Sequence, residues 1–128
     1  MIASANRRAT NQYVDVLHNS RLGEDTPHRL IQMLMEGFLV RINSAKGAML
    51  HGEIEAKSRY ISNAMGIVGG LIDGLDMENG GELSVNLRSL YEYINFRLLE
   101  ANSKNSVEIL DEVAGLLRNI KEAWDAIG

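Results

Sequence analysis

The side chains that could carry out chemistry are few, and their spacing suits no familiar site. Di-iron bundles hold their metals with Glu-x-x-His repeats on facing helices, and no Glu-x-x-His occurs in the 128 residues. The three histidines, His18, His28 and His51, are never three or four positions apart. His51 directly precedes Gly52, where a cationic ring favours the negative end of a helix. The pattern predicts no metal, no cofactor and a helix-capping role for His51.

Four carboxylates, Asp73, Asp76, Glu78 and Glu82, cluster around one predicted corner. Paired acids do general acid–base work only where burial pushes their pKa values apart. In a turn rich in Asn and Gly we expect them to be solvated. No serine lies in a Gly-x-Ser-x-Gly turn, and the chain has no cysteine nucleophile. We therefore expect that the protein is not an enzyme.

The glycine pair in "DMENGGELS" is the remaining candidate for a ligand loop. A phosphate-binding loop has a lysine and a hydroxyl residue after its glycines, whereas Gly80-Gly81 is followed by Glu82-Leu83. Glycine accepts the left-handed backbone of a helix end at little cost. The pair is therefore predicted to form a corner between two helices.

Size and charge limit the possible partners. The chain is one domain by length, and 45% of its residues are apolar. A net charge of −4 argues against nucleic acid, which needs a positive surface. No apolar run approaches the roughly 20 residues of a membrane span, and the start lacks the apolar core of a signal peptide. The absence of cysteine fits a reducing compartment. The sequence predicts a cytoplasmic protein with no membrane insertion.

Four apolar repeats with alternating gaps of three and four residues dominate residues 26–128. We expect each to form a core seam, and the third contains Leu83, Leu87, Leu90 and Ile94, with Arg97 out of place among them. Thr26 and Pro27 are suited to the start of the first helix, as cap and first helical residue. Short polar or glycine-containing breaks separate the four runs, so that consecutive helices are antiparallel neighbours. The prediction is an all-α, antiparallel up-and-down four-helix bundle. Asn105, with Glu108 three residues later, resembles a capping box for the fourth helix.

Residues 1–25 differ from the rest in being polar and weakly periodic. Tyr13, Val14 and Leu17 can share one side of a short helix. We therefore expect a flexible N-terminal cap segment, containing a short cap helix, in front of the bundle. Tyr13 lies on its apolar side, from which it can occupy a groove of the bundle.

Each predicted bundle helix carries a second apolar stripe beside its core stripe. For any single position, flanking the core is the more frequent explanation. Four doubled stripes nevertheless carry more apolar surface than the core of one bundle can bury. Apolar surface that stays exposed marks a partner site. We therefore predict a long shallow groove that receives an extended or helical peptide. Its candidate residues are Leu34, Ile67, Leu71, Tyr91 and Leu98.

Glycines inside the predicted helices favour the same interpretation. "AMGIVGGLIDG" places Gly66, Gly69 and Gly70 within the second helix, and each costs about 1 kcal/mol relative to alanine. Close approach of another backbone or a need for local softness would explain them. Tight packing between the bundle's own helices is the alternative. Other glycines within predicted helices are Gly37, Gly47 and Gly115.

The sequence resembles the FliS family of flagellar export chaperones from about Asn11 to Ile127. Its most specific part is "LDMENGGELSVNLRSLYEYINFRLLEANSKNSVEILDEVAGLLRNIKEAW", with the family's double-glycine corner, Leu-Tyr-x-Tyr and final Glu-Ala-Trp. "TPHRLIQMLMEGFLVRINSAK" is similar to the first long helix of the family. Met35-Glu36-Gly37 departs from the family's usual Tyr-Asp-Gly, which removes a tyrosine hydroxyl at that point.

The resemblance implies a cytosolic chaperone for the disordered C-terminal region of flagellin. In the family this segment wraps around the bundle and displaces the N-terminal cap, so that Tyr13 would anchor the cap. Binding would prevent premature polymerisation and deliver flagellin to a gate component of the flagellar type III export apparatus. The alternative is a regulatory adaptor that binds an anti-sigma factor or another export component. We expect a monomer or a weak homodimer.

Overall fold

The computed structural model describes residues 26–127, which form four α-helices and no strand. The all-α fold class is therefore confirmed. The predicted cap helix, with Tyr13, lies outside the described residues. The helices are α1 (Pro27–Leu50), α2 (Ile54–Asp73), α3 (Gly81–Lys104) and α4 (Val107–Ala126).

Both ends of α1 form as the sequence predicts. The Thr26 hydroxyl accepts a hydrogen bond from the backbone N–H of Arg29 at 3.1 Å, and Pro27 is the first helical residue. At the other end, the His51 Nδ1 atom lies 2.8 Å from the carbonyl oxygen of Gly47. The same carbonyl oxygen also accepts the backbone N–H of His51 at 3.1 Å, so backbone and side chain of His51 both close the last turn of α1. His51 is therefore a capping residue.

The glycine pair forms the corner between α2 and α3. Gly81 has a positive φ of 56°, and a Cβ atom on Gly80 would collide with the side chain of Ser84. The Ser84 hydroxyl donates to the carbonyl oxygen of Asp76 at 2.9 Å, which ties the turn to the first turn of α3. The Asp76 carboxylate accepts from the backbone and side chain of Asn79, and these bonds lower its pKa. The corner is held by its own backbone and polar side chains.

The corner between α3 and α4 corrects the predicted cap by one residue. Asn105 adopts the left-handed conformation, with φ 53° and ψ 48°, and ends α3. Ser106 is extended, and its hydroxyl accepts from the N–H of Ile109 at 3.2 Å. Asparagine tolerates the left-handed region better than most residues, which leaves Ser106 to cap α4. The capping box at Asn105 was therefore wrong.

Each helix packs against two neighbours: α1 and α3 both contact α2 and α4. The polar contacts between α1 and α4 show that the two helices run in opposite directions. The Trp124 indole N–H donates to the carbonyl oxygen of His28 at 3.0 Å, and the two rings stack with centroids 4.7 Å apart. Near the other end, Lys46 Nζ lies 2.9 Å from the Asp111 carboxylate.

Polar contacts also join α2 to α3 in antiparallel orientation. The Ser58 hydroxyl donates to the side-chain oxygen of Asn102 at 3.2 Å. Further along, the Asn95 amide donates to the carbonyl oxygen of Met65 at 3.3 Å. The four helices therefore form an antiparallel bundle, with polar contacts at the α1–α4 and α2–α3 seams.

The core draws on all four helices. Each large apolar side chain buried there contributes about 1.5–3 kcal/mol relative to an exposed one. The largest fully buried side chains are Met35, Phe38, Ile61, Val68, Ile94, Leu98, Leu110, Val113 and Leu117.

Arg97 occupies a position in the apolar pattern of α3 and connects α3 to α4. Its guanidinium lies 2.9 Å from Glu100 and 2.7 Å from Glu112 of α4. The Tyr93 hydroxyl donates to the second Glu112 oxygen at 2.6 Å. Hydrogen bonds from Tyr93 and Arg97 lower the pKa of Glu112, and bonds to Glu100 and Glu112 raise the pKa of Arg97. The four side chains form one network along the α3–α4 seam.

Three helix glycines have no packing reason in the described part of the chain. A Cβ atom added to Gly47, Gly69 or Gly115 would meet nothing within 4 Å. Tight packing against the bundle's own helices, the alternative considered above, is therefore wrong for these three positions. Each lowers helix stability without a compensating contact.

We expect Gly69→Ala to raise the free energy of unfolding by about 0.5–1 kcal/mol, because alanine loses less backbone entropy in a helix. Gly81→Ala is the matched comparison. Its positive φ makes alanine unfavourable by about 1–2 kcal/mol. Urea denaturation followed by circular dichroism measures both changes. A destabilised Gly69→Ala protein would show that α2 needs glycine there for contacts or curvature.

The α3–α4 network predicts a specific response to acid. The pKa of Glu112 is lower in the folded chain than its ordinary value of 4.5. Its contribution to stability is therefore complete above that ordinary value and is lost as the pH falls through the lower folded value. We expect Glu112→Gln to flatten the decline in the free energy of unfolding below about pH 4.5.

Glu92→Gln is the control for that measurement, because Glu92 forms an exposed pair with Arg88 at 3.8 Å. Urea denaturation of the three proteins at a series of pH values gives the comparison. Equal acid dependence in wild type and Glu112→Gln would contradict the assignment of this response to Glu112.

Candidate functional site

The five predicted groove residues of the bundle are buried. Leu34, Ile67, Leu71, Tyr91 and Leu98 are all 5% exposed or less and belong to the hydrophobic core. Burial also raises the pKa of the tyrosine hydroxyl to about 12. The expectation that these side chains lie open in a groove is therefore wrong, because all five pack into the core between the helices. Their contact with a partner stays a prediction that requires them to become accessible.

Exposed apolar surface is concentrated on α3. Eleven large hydrophobic side chains are exposed in residues 26–127, and six of them belong to this one helix. We call these six residues the α3 apolar face. The face consists of Leu83, Val85, Leu90, Tyr93, Phe96 and Leu99.

Helical geometry divides the α3 apolar face into two parts. The core-facing positions include Tyr91, Ile94 and Leu98. At about 100° per residue, Val85 and Phe96 point away from that side, and they are 51% and 60% exposed. This part of the face therefore has no helix of the bundle in front of it.

The rest of the face lies on the two flanks of α3. Leu83 and Leu90 stand fourteen and seven residues before Arg97, which pairs with α4, so they lie on the α4 flank. Leu99 follows Asn95 by four residues, and Asn95 bonds to α2. Leu99 therefore lies toward α2. The face extends across the solvent side of α3 between its two neighbours.

The charged side chains of α3 from Arg88 to Lys104 all take part in ion pairs. Arg88 and Glu92 form an ion pair on the flank toward α2, at 3.8 Å. On the flank toward α4, the hydrogen bond from Tyr93 to Glu112 raises the pKa of the tyrosine hydroxyl, which therefore stays protonated as a donor. A face rimmed by neutralised charges suits an apolar partner rather than a strongly charged one.

Sequence analysis missed this face because it assigned Leu83 and Leu90 to a core seam. Both are exposed, by 66% and 39%. The sequence did contain a signal for this face, namely the angular positions of the apolar residues around α3. Phe96 and Leu99 are out of register with Tyr91, Ile94 and Leu98 on a 3.6-residue period, so one helix side could not bury all of them. Their off-phase positions indicated an exposed apolar side of α3.

The described residues hold no group of three His, Cys, Asp or Glu side chains that could bind a metal ion. Across the same part of the chain, no helix is long and apolar enough to cross a bilayer. The α3 apolar face itself offers apolar side chains and the Tyr93 hydroxyl.

Known proteins resemble this chain over most of its length. Residues 9–128 match the model of the family described as flagellar protein FliS. The chain is 48% identical over 120 residues to flagellar secretion chaperone FliSB of Pseudomonas aeruginosa strain PAO1, covering 94% of this chain and 95% of the relative.

Two further relatives are named flagellar secretion chaperone FliS. The protein of Salmonella typhimurium is 41% identical, with 90% of this chain and 86% of the relative covered. The protein of Vibrio cholerae is 37% identical, with 94% and 89% covered. These relatives are chaperones by name and not enzymes, in agreement with the expectation from the sequence. The match over nearly the whole chain establishes that this protein belongs to the FliS family.

Proposed function

We propose that this protein is a cytosolic export chaperone that binds the disordered C-terminal region of flagellin. Binding prevents premature polymerisation of flagellin and delivers it to a gate component of the flagellar type III export apparatus. Family membership supports a role as a flagellar secretion chaperone. The observation that carries the binding proposal is the α3 apolar face, where six large apolar side chains of one helix are exposed.

The dimensions of the face suit a peptide segment of several helical turns. Leu83 and Leu99 are sixteen residues apart on α3, which corresponds to about 24 Å at about 1.5 Å per residue. An amphipathic helix laid along α3 would present apolar residues at intervals of three and four to this face. Phe96, at the centre of the exposed side, is the proposed main contact.

A disordered cargo suits the modest apolar area of the face. Covering exposed side chains releases about 25 cal/mol per Å² of apolar surface, but a disordered segment loses conformational entropy when it orders. The apolar gain and the entropy loss partly cancel. The resulting complex protects the cargo yet can release it at the export apparatus. A rigid helix as the receiving surface reduces the ordering cost on the chaperone side.

The five buried residues predicted from the sequence have a proposed supporting role for the α3 apolar face. Tyr91 and Leu98 belong to the same helix as Phe96 and anchor it to the core. Leu34, Ile67 and Leu71 complete the core on α1 and α2. We propose that they hold α3 in place, and that they contact cargo only where binding opens the bundle. Tyr13 is the proposed anchor of a cap formed by residues 1–25 ahead of the bundle of residues 26–128.

We expect the double substitution Phe96→Ser and Leu99→Ser to weaken binding of a flagellin C-terminal peptide at least tenfold, or about 1.4 kcal/mol. Both side chains are more than half exposed, so the fold should persist. Isothermal titration calorimetry measures the affinity, and thermal unfolding checks the fold.

The matched control is Val40→Ser with Ile127→Ser, which removes similarly exposed apolar side chains from α1 and the end of the chain. It should bind the peptide like the wild type. Wild-type affinity of the α3 variant would contradict the proposed site. Binding of an anti-sigma factor without any binding of flagellin would favour the regulatory adaptor.

The cap proposal is tested by deleting residues 1–20. If the segment competes with cargo, its removal should tighten binding of the flagellin peptide or leave it unchanged. Calorimetry on the full-length and shortened chains measures the difference. A large loss of affinity in a folded, shortened protein would mean that the segment contributes to the binding site.

A further inference from the structure

A cavity of about 310 Å³ lies at the end of the bundle where α1 turns into α2 and α3 ends. Met49 and Ile54 supply apolar wall, whereas Lys57, Ser103 and Asn105 supply polar wall. At about 30 Å³ per water molecule in the liquid, this volume corresponds to about ten waters. The cavity has room for a single amino-acid residue and not for a helix.

Lys57 is a buried cation without a counter-ion in the described part of the chain. It is 7% exposed. Its ammonium donates to the carbonyl oxygen of Asn102 at 3.1 Å and to the side-chain oxygen of Asn105 at 3.2 Å. Both acceptors are neutral. Burial of an ammonium is costly unless an opposite charge or further hydrogen bonds compensate it.

Lys57 belongs to α2, and its ammonium lies beside the C-terminal end of α3. Two of its N–H donors are used there, in the bonds to Asn102 and Asn105. A cation near a helix C-terminus is favoured by the helix dipole, and the bonds to Asn102 and Asn105 tie α2 to the α3–α4 corner. An ammonium has three N–H donors. Because Lys57 lines the cavity, its third donor can meet an acceptor that enters there.

The cavity lies one helical turn beyond the C-terminal end of the α3 apolar face. Ser103 in the cavity wall follows Leu99 of the face by four residues, one turn further along α3. A peptide that lies along the face toward the C-terminus of α3 therefore reaches the cavity at its end. A residue that fills this cavity would need an apolar side chain, a carboxylate and no further chain after it. The C-terminal residue of a polypeptide meets all three conditions.

We propose that the cavity binds the C-terminal residue of the cargo polypeptide, with its carboxylate paired to Lys57 and its side chain against Met49 and Ile54. This inference rests on the proposed function, because it places the end of the segment that lies on the α3 apolar face. Glu53 at the cavity wall opposes the incoming carboxylate, so its charge limits the affinity.

The test compares one flagellin C-terminal peptide in two forms, with a free terminal carboxylate and with a terminal amide. We expect the free acid to bind the full-length protein at least tenfold more tightly by calorimetry. Equal affinity of the two forms would overturn the inference and leave the proposed function intact. Failure of both forms to bind would overturn the proposed function together with the inference.

Substitutions locate the effect. Lys57→Met should remove the preference for the acid, and Glu53→Gln should increase it. Lys104→Met removes an exposed cation that pairs with Glu100 at the same end of α3, and it should keep the wild-type preference. If the Lys57→Met protein does not fold, the Glu53→Gln and Lys104→Met proteins still test whether the cavity selects the terminal carboxylate. Equal loss of preference in Lys104→Met would mean that general charge, and not the cavity, selects the acid.

Discussion

Each helix of this bundle has two neighbours, and that geometry decides which apolar side chains are buried. A helix between two others turns roughly half of its circumference toward the core and the two seams, and the other half toward solvent. On α2 the apolar residues Ile61, Val68 and Leu71 fall on the inner half. On α3 they fall on both halves, and the outer side keeps Phe96 exposed. The proposed binding surface is therefore a direct result of apolar residues placed outside the core-facing phase.

Polar side chains keep that surface in position. Apolar packing alone permits α3 to rotate or slide slightly, because dispersion contacts are not directional. The bond from Asn95 to α2 and the pairing of Arg97 with Glu112 on α4 fix α3 from both sides. Lys57 holds its last turn through Asn102. These directional contacts restrict rotation of α3 away from the orientation that buries Tyr91, Ile94 and Leu98.

The fold was largely predictable from the sequence, whereas the site was not. Periodicity and caps such as Thr26 define the helices, because the first-turn hydrogen bonds depend on residues close in sequence. Whether Leu71 or Leu90 is exposed depends on how far each helix rotates about its axis, and that depends on contacts between distant residues. Sequence analysis placed Leu71 at the surface and Leu90 in a core seam, and the structure reverses both. The off-phase Phe96 was the one local signal of the exposed face.

Glycine is distributed unevenly among the four helices. Gly47, Gly69 and Gly115 lie inside α1, α2 and α4 with open space around them, whereas α3 contains glycine only at its first residue. Backbone fluctuations, and with them amide hydrogen exchange, should therefore be more frequent around those three glycines than along α3. The helix that carries the proposed binding surface would then fluctuate least of the four. Conformational adjustment to a bound cargo would then occur mainly in α1, α2 and α4.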